Sequence, residues 1–175
     1  MPRRFANADP RHRFHDARAI LRWGVWDRLS GRRRVRPAGP PAPWVEPDAE
    51  RIRNPDGRAQ LTWGGHATFV ASLGGRSVLV DPVFHERLTF RVPRYGRAGL
   101  AASLLPPLAA VLVTHNHYDH LDRSSLRRIP REVPAIVPRG LGRWFARWNR
   151  RPVVELDWWE STEVDELVVS LVPSR

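Results

Sequence analysis

Five side chains that can bind metal ions or carry protons fall within the stretch VTHNHYDHLD, positions 113 to 122. They are His115, His117, Asp119, His120 and Asp122. Side chains two positions apart in extended backbone point the same way, so the imidazoles of His115 and His117 can reach one ion. Asp119 and His120 follow a bend and can supply a carboxylate and an imidazole to a second ion. The spacing therefore predicts a centre for two metal ions, which can share a hydroxide and hold an ester or phosphate oxygen.

The composition restricts the ligands and metals that such a centre can use. The chain has no cysteine, so thiolate ligands and disulfide bonds are excluded, and any metal must be held by histidine and carboxylate. Histidine-rich ligation favours zinc, and manganese or iron also occupies sites of nitrogen and oxygen ligands. The alternative interpretation is a polar surface loop rich in histidine, which four ligands at the end of a strand argue against.

The elements around the motif predict how it is held. An apolar run at 109–114 is typical of a strand, and residues 121–129 are typical of a helix. Further strands are predicted at 60–63, 68–73, 76–81, 135–138, 153–156 and 166–172, with a helix at 139–149, a loop at 157–161 and a long irregular cover at 82–107. Gly74 and Gly75 predict a two-residue hairpin turn with positive φ. A hairpin followed by strands alternating with helices predicts an α/β domain, a mixed β-sheet flanked by helices.

The residues before position 59 predict a separate region. Apolar residues at spacings of three and four predict an amphipathic helix over 13–29, and the prolines of 32–50 predict an extended arm. We therefore expect an N-terminal helix and Pro/Arg-rich arm at 1–58 and one domain at 59–175. The chain has no apolar signal core and no apolar run of about 18 residues, which predicts a cytoplasmic protein.

The charge favours anionic partners. The net charge is +11, and all 29 basic residues are arginine, a composition typical of a GC-rich genome. Nucleic acid is disfavoured because no basic motif interleaved with aromatic residues is present. On the helix at 139–149, arginines recur at Arg139, Arg143, Arg147 and Arg150. We interpret this stripe as a solvated face, the alternative being peripheral contact with anionic lipid headgroups or phosphate at a membrane.

The motif, together with its flanking sequence, resembles a known family. H-x-H-x-D-H after a strand resembles the signature of the metallo-β-lactamase fold superfamily. The strings LTWGGHATFVASLGGRSVLVDPVF, VLVTHNHYDHLD and VVELDWWES resemble the branch of N-acyl-phosphatidylethanolamine-hydrolysing phospholipase D, with ascorbate-6-phosphate lactonases more distant. The resemblance runs from about Leu61 to the end of the chain. It implies the N-terminal half of an αββα sandwich, in which two similar halves pack face to face.

The resemblance also implies roles for the residues of the motif. His115 and His117 would bind the first of two zinc ions, and Asp119 and His120 the second. Asp119 would in addition orient a metal-bridged hydroxide for attack on a phosphodiester, as its catalytic role. The substrate would be a phospholipid or a small molecule. A lactone or sugar-phosphate ester is the alternative substrate within the same fold.

Other residues are predicted to surround the ligands. By resemblance, Asp81 is buried and holds the ligand loop through hydrogen bonds, and His66 approaches the metals without binding them. From the residues alone, Asp81 is equally a turn residue that ends a strand, and His66 a histidine satisfied beside a bend. Asp122 is an N-terminal helix cap, or else a partner of a ligand imidazole. Trp158 and Trp159 pack in the core or at an edge, or one of them lines a substrate cleft.

The chain is shorter than the family to which it is similar. The resemblance implies a third histidine for the first metal soon after a strand like ELVVSLVPS, and then a bridging aspartate and a last histidine. The chain ends at Arg175, so we expect a fragment whose two ligands per ion are too few for turnover. An uncovered sheet face would favour homo-oligomers. The remaining alternative is a non-catalytic, basic half-domain.

Overall fold

The computed structural model describes residues 16–26, 29–31, 44–87, 94 and 96–173. It divides into two units, residues 1–41 with 173–175 and residues 42–172. Most of the predicted arm and the middle of the predicted cover lie outside the described residues. The two units are therefore described separately.

The described part of the first unit holds two short helices in place of one. Helix α1 spans Ala17–Leu21, and the Asp16 carboxylate accepts a hydrogen bond of 2.7 Å from the Ala19 N–H at its start. A π-helical segment, Arg22–Trp26, follows directly. Residues 17–26 of the helix predicted at 13–29 are thus helical, and the second half of this stretch is π-helical rather than α-helical. Gly24 lies in the middle of the π-helical segment, and glycine is the least favourable residue in a helix interior after proline.

The second unit is built on a six-stranded mixed sheet. Its strands are β1 (Gln60–Trp63), β2 (Phe69–Leu73), β3 (Arg76–Val80), β4 (Ala110–Leu112), β5 (Ala135–Pro138) and β6 (Val153–Leu156), in that order across the sheet. The pairings β1–β2 and β2–β3 are antiparallel, and the next three are parallel. The helices are α2 (Ala49–Arg53), a 3₁₀ turn (Ala102–Leu104), α3 (Arg123–Leu126) and α4 (Gly142–Trp148). The predicted α/β class with a mixed sheet flanked by helices is confirmed.

The turn between β2 and β3 is the one that the sequence predicts. Gly74 and Gly75 have φ of 58° and 77°. Two consecutive residues with positive φ match the right-handed twist of an antiparallel pair, and glycine adopts them without steric cost.

A second hairpin, by contrast, is only half predicted. Strand β7 (Ser161–Val164) pairs antiparallel with β8 (Leu167–Ser170), and only β8 lies within a predicted strand. The turn residues Asp165 and Glu166 have φ of 47° and 70°, the same turn geometry without glycine. Because the usual Asn-Gly or Gly-Gly signal is missing, sequence patterning could not locate this turn.

Apolar residues on the two faces of the sheet form two clusters. Successive residues of a strand point to opposite faces, so Leu79 and Val78 belong to different clusters. The cluster around Leu79 includes Leu126 of α3 and Phe145 of α4, which are completely buried. The cluster around Val78 is covered in part by side chains of the β7–β8 hairpin. Helices on one face and a second sheet on the other are the layers that the predicted fold requires.

One edge of this sheet collects the polar loops. Strands β3 to β6 are parallel, so their carboxyl ends lie side by side, and the β1–β2 turn meets the same edge because Phe69 pairs with Val80. Ligands of α/β sheets bind at such an edge. Within the described residues, no helix has the length and apolar character needed to cross a membrane.

Leu79 and Leu61 compare the burial of an interior strand, β3, with that of the edge strand β1. Leu79 has no exposed surface, whereas Leu61 on β1 is 67% exposed. We expect Leu79→Ala to lower the free energy of unfolding by about 2–5 kcal/mol, because it leaves a cavity in the core. The matched variant Leu61→Ala should change it by less than about 0.5 kcal/mol. Urea unfolding of both variants measures this, and equal losses would contradict the packing.

Candidate metal centre

Asp81 joins the ends of two parallel strands. It follows β3 directly, is only 2% exposed and has a φ of 42°. Its carboxylate accepts hydrogen bonds from the Thr114 N–H at 2.8 Å and from the Thr114 hydroxyl at 2.6 Å. Its backbone N–H donates to the Leu112 carbonyl at 2.9 Å, and its own carbonyl accepts from the buried Thr68 hydroxyl at 2.8 Å. Asp81 therefore fixes the backbone from which the ligand loop begins.

The same carboxylate orients His120. Asp81 Oδ2 lies 2.7 Å from His120 Nδ1, and because a carboxylate only accepts, that nitrogen carries the proton. The lone pair of His120 is then on Nε2, which lies 3.9 Å from Asp119 Oδ2. A carboxylate on one imidazole nitrogen and a free lone pair on the other is how proteins prepare a histidine to bind a metal.

His66 enters the centre from the β1–β2 turn. It has a φ of 52°, and its Nε2 lies 2.9 Å from Asp119 Oδ2. One ligand atom each from His66, Asp119 and His120 lies within 4.8 Å of the others. Among the described residues these three form the compact group of possible metal ligands. The sequence-based expectation placed His66 beside the ligands, and the structure brings its nitrogen among them.

His115 lies beside His120, and His117 lies beside His115. The His115 ring centroid is 4.0 Å from that of His120 and 4.5 Å from that of His117. Strand β4 ends at Leu112, so the pair sits in a loop rather than in the extended strand end that the i, i+2 argument assumed. Burial and the neighbouring imidazoles lower the pKa of His115, which keeps it neutral as a ligand must be. The four residues of the motif are thus gathered at one place.

Asp119 is held as a carboxylate. Partial burial raises its pKa, but hydrogen bonding to its own backbone N–H, the charge of His120 and the hydrogen bond from His66 outweigh burial. The net result is a pKa below the usual value. An ionised carboxylate between two imidazoles is a cation site.

Asp122 ends the ligand loop as a helix cap. Its carboxylate accepts from the Ser125 N–H at the start of α3 at 2.7 Å and from the Ser124 hydroxyl at 2.7 Å. His85 Nε2 lies 3.2 Å from the same carboxylate and also contacts Ser124. Burial raises the pKa of Asp122, and these hydrogen bonds lower it by more. The predicted cap is confirmed, and Asp122 has no contact with a ligand imidazole among those observed.

The loop after β6 places two tryptophans on the same edge of the sheet. Trp159 is 74% exposed with a φ of 68°, and its N–H donates to the Leu171 carbonyl at 2.7 Å. Trp158 is half-buried. Arg139, directly after β5, forms ion pairs with Asp157 at 3.3 Å and Glu160 at 3.0 Å, which connect this loop to the end of β5. Unlike a residue of a solvated arginine stripe, Arg139 is therefore paired with acidic side chains. The role of the tryptophans in a cleft stays a prediction.

The donors fit a divalent metal ion. Two imidazoles and one carboxylate within a few ångströms are a ligand set used by catalytic zinc sites, and they also suit manganese or iron. Because a metal needs the lone pair on His66 Nε2, binding would replace the hydrogen bond between His66 and Asp119. His66, Asp119 and His120 would hold such an ion, with His115 and His117 beside them.

Comparison with known proteins agrees with this geometry. Residues 76–175 match the family described as Beta-lactamase superfamily domain. An uncharacterised protein of Mycobacterium tuberculosis is 34% identical over 98% of this chain and 47% of its own length. An N-acyl-phosphatidylethanolamine-hydrolysing phospholipase D of Caenorhabditis elegans is 37% identical over 58% of this chain and 32% of its own length. The chain thus spans about half the length, or less, of these relatives.

The fold recurs in solved structures. The crystal structure of a possible metal-dependent hydrolase from Veillonella parvula aligns with 63% of this chain and 46% of its own chain, with a TM-score of 0.52 and 23% identity. At that identity the likeness concerns the fold alone, and it confirms the predicted α/β arrangement.

Asp81→Asn tests the anchoring of the ligand loop. An asparagine amide has one acceptor oxygen, so at least one of the donors on Thr114 and His120 would lose its partner. We expect the free energy of unfolding to fall by about 1–3 kcal/mol and zinc affinity to fall about 10–100-fold. The control Asp48→Asn changes a helix cap, where asparagine serves equally well, and should alter neither. Calorimetric zinc titration and urea unfolding measure both quantities.

His66→Ala tests the ligand group that the structure assembles. We expect His66→Ala and Asp119→Ala each to weaken zinc binding by at least about tenfold, because each removes a donor atom. His85→Ala is the matched control, since His85 contacts the cap at Asp122 and is outside the group. If His66→Ala binds zinc as tightly as His85→Ala, His66 is not a ligand.

Proposed function

Because the chain belongs to the β-lactamase superfamily domain family, we propose that it is a metal-dependent hydrolase whose substrate is a phosphodiester. The observation that carries this proposal is the group of His66, Asp119 and His120 beside His115 and His117. Within the described residues no other group of three histidine or carboxylate side chains has its ligand atoms so close together.

The proposed substrate class rests on two further observations. The Caenorhabditis elegans relative is by its name a phospholipase D that hydrolyses an N-acyl-phosphatidylethanolamine, which is a phosphodiester. The net charge of +11 attracts an anionic substrate and raises its local concentration. Both favour a phosphodiester over a neutral ester or lactone.

The residues of the centre have distinct tasks in such a hydrolysis. A divalent ion supplies Lewis acidity toward a phosphoryl oxygen and makes water more acidic. Asp119, whose pKa is lowered so that it stays a carboxylate, would help to hold the ion and can orient a nucleophilic water by accepting a hydrogen bond from it. Asp81 keeps the proton of His120 on Nδ1, so the opposite nitrogen stays available. The half-buried loops limit how far the reacting groups can move.

Hydrolysis assays test the proposal directly. The product of the whole gene is stripped with a chelator and reloaded with zinc, manganese or ferrous iron. It is then assayed on bis(p-nitrophenyl) phosphate, on N-acyl-phosphatidylethanolamine and on a γ-lactone. We expect the gene product to hydrolyse a phosphodiester only with metal, and His115→Ala to reduce the rate at least about 100-fold, as loss of a metal ligand does.

His85→Ala is the matched control and should keep the activity of the gene product. Phosphodiester hydrolysis that survives either the chelator or His115→Ala would contradict the proposal. A gene product that hydrolyses the lactone and no phosphodiester would contradict the substrate class while leaving the metal centre in place.

A further inference from the structure

Arg94 is held by backbone carbonyls rather than by an acidic side chain. Its Nε donates to the His85 carbonyl at 2.7 Å, and its Nη2 donates to the Val83 carbonyl. Val83 is two residues after Asp81, the residue that anchors the ligand loop. Two of the three guanidinium nitrogens are thus fixed on the loop after β3, which sets the direction of the third.

The third nitrogen lies against the turn that carries His66. Arg94 Nη1 is 3.0 Å from the place where a Cβ would stand on Gly65, the residue before His66. Gly65 has a φ of 87° and no side chain, so the guanidinium can lie directly on the backbone there. His66 Nε2 in turn contacts Asp119. Arg94 therefore bridges two loops of the metal centre at their common edge.

The charge of Arg94 is poorly compensated in the described part of the chain. The side chain is half-buried, and burial lowers its pKa while the charge of Glu86 only partly offsets that effect. No described carboxylate forms an ion pair with it. Arg139, at the same edge of the sheet, pairs with both Asp157 and Glu160. Unlike Arg139, Arg94 thus has no described carboxylate as an ion-pair partner, and its charge can attract an anion.

We propose that Arg94 binds the phosphate group of the substrate at the edge of the metal centre formed by Gly65 and His66. This inference rests on the function proposed above and specifies how the phosphodiester is recognised. With Nε–H and one N–H of Nη2 donated to carbonyls, the N–H groups of Nη1 and the second N–H of Nη2 remain in one plane and can donate to two phosphate oxygens, and the positive charge strengthens those hydrogen bonds. The carbonyls of Val83 and His85 hold the fork before the substrate arrives, so little side-chain entropy is lost on binding.

Phosphate binding distinguishes this role from a purely structural tie between the two loops. The probes are dimethyl phosphate, an anionic diester, and trimethyl phosphate, its neutral counterpart. They are titrated by calorimetry and NMR into the zinc-loaded and the metal-free 175-residue chain. The variants are Arg94→Gln and Arg94→Lys. Arg97→Gln is the matched control because it changes the net charge by the same amount as Arg94→Gln. The Arg97 side chain is exposed, and its Cζ lies 5.7 Å from the centroid of the Trp44 ring.

We expect Arg94→Gln to weaken binding of dimethyl phosphate at least about tenfold, equivalent to about 1.4 kcal/mol. Arg94→Lys should lose less affinity for dimethyl phosphate than Arg94→Gln, because lysine keeps the positive charge and lacks only the planar pair of N–H donors. Arg97→Gln should bind like the original chain, and trimethyl phosphate should not respond to any variant. Zinc affinity should stay unchanged in Arg94→Gln, which a structural tie would not predict.

Equal affinity of Arg94→Gln and Arg97→Gln for dimethyl phosphate would overturn the inference. If Arg94→Gln does not fold, the side-chain Nη–H signals of Arg94 in the ¹⁵N-labelled original chain decide, because its Nε–H is already donated to the His85 carbonyl. A shift on adding dimethyl phosphate that exceeds that of Arg97 supports the inference, and its absence overturns it. The proposed function is tested by a different experiment, because it fails if phosphodiester hydrolysis survives His115→Ala. Failure of the Arg94 inference and failure of the proposed function are therefore distinguishable.

Discussion

The buried carboxylate of Asp81 is the constraint on which the centre depends. It accepts from the backbone and hydroxyl of Thr114 and lies 2.7 Å from His120, so one side chain sets both the path of the ligand loop and the protonated nitrogen of a ligand. A carboxylate that is 2% exposed is tolerated only because several donors surround it. Thr68 binds its carbonyl and extends the same network to the β1–β2 turn. The hydrogen bonds that stabilise the fold here are also those that prepare the site.

The parallel half of the sheet explains why chemistry collects at one edge. Strands β3 to β6 end side by side, and their loops supply Asp81, the histidine motif, Arg139 and the tryptophan loop in turn. Charges at this edge are matched in different ways. Arg139 is neutralised by Asp157 and Glu160, whereas Arg94 is fixed by carbonyl oxygens, which leave its positive charge in place. The edge therefore combines the proposed cation site with the arginine that we propose to bind an anionic substrate.

Local sequence patterns predicted most of the strands of the sheet. They gave wrong or missing predictions where a turn or helix departs from the usual residue preferences. Five of the six main strands lie within their predicted runs with the same length or one residue less, because short runs rich in apolar and β-branched residues indicate strands. Gly74 and Gly75 predicted their turn, since positive φ needs glycine there. The turn at Asp165 and Glu166 also has positive φ but no glycine, so β7 was missed. Periodicity predicted a helix at 13–29 but not its π-helical segment around Gly24.

The sequence by itself predicted a metal centre, because four possible ligands lie within six positions after one strand. It did not determine the compact ligand group, since His66 and Asp119 are separated by 53 positions and meet through the pairing of β1, β2 and β3 with β4. Nor could it show that Arg94 reaches the turn before His66, because Gly65 and Arg94 are far apart in the chain and meet only in the folded protein. Local spacing identifies ligands, whereas distant contacts arise only when the sheet is assembled.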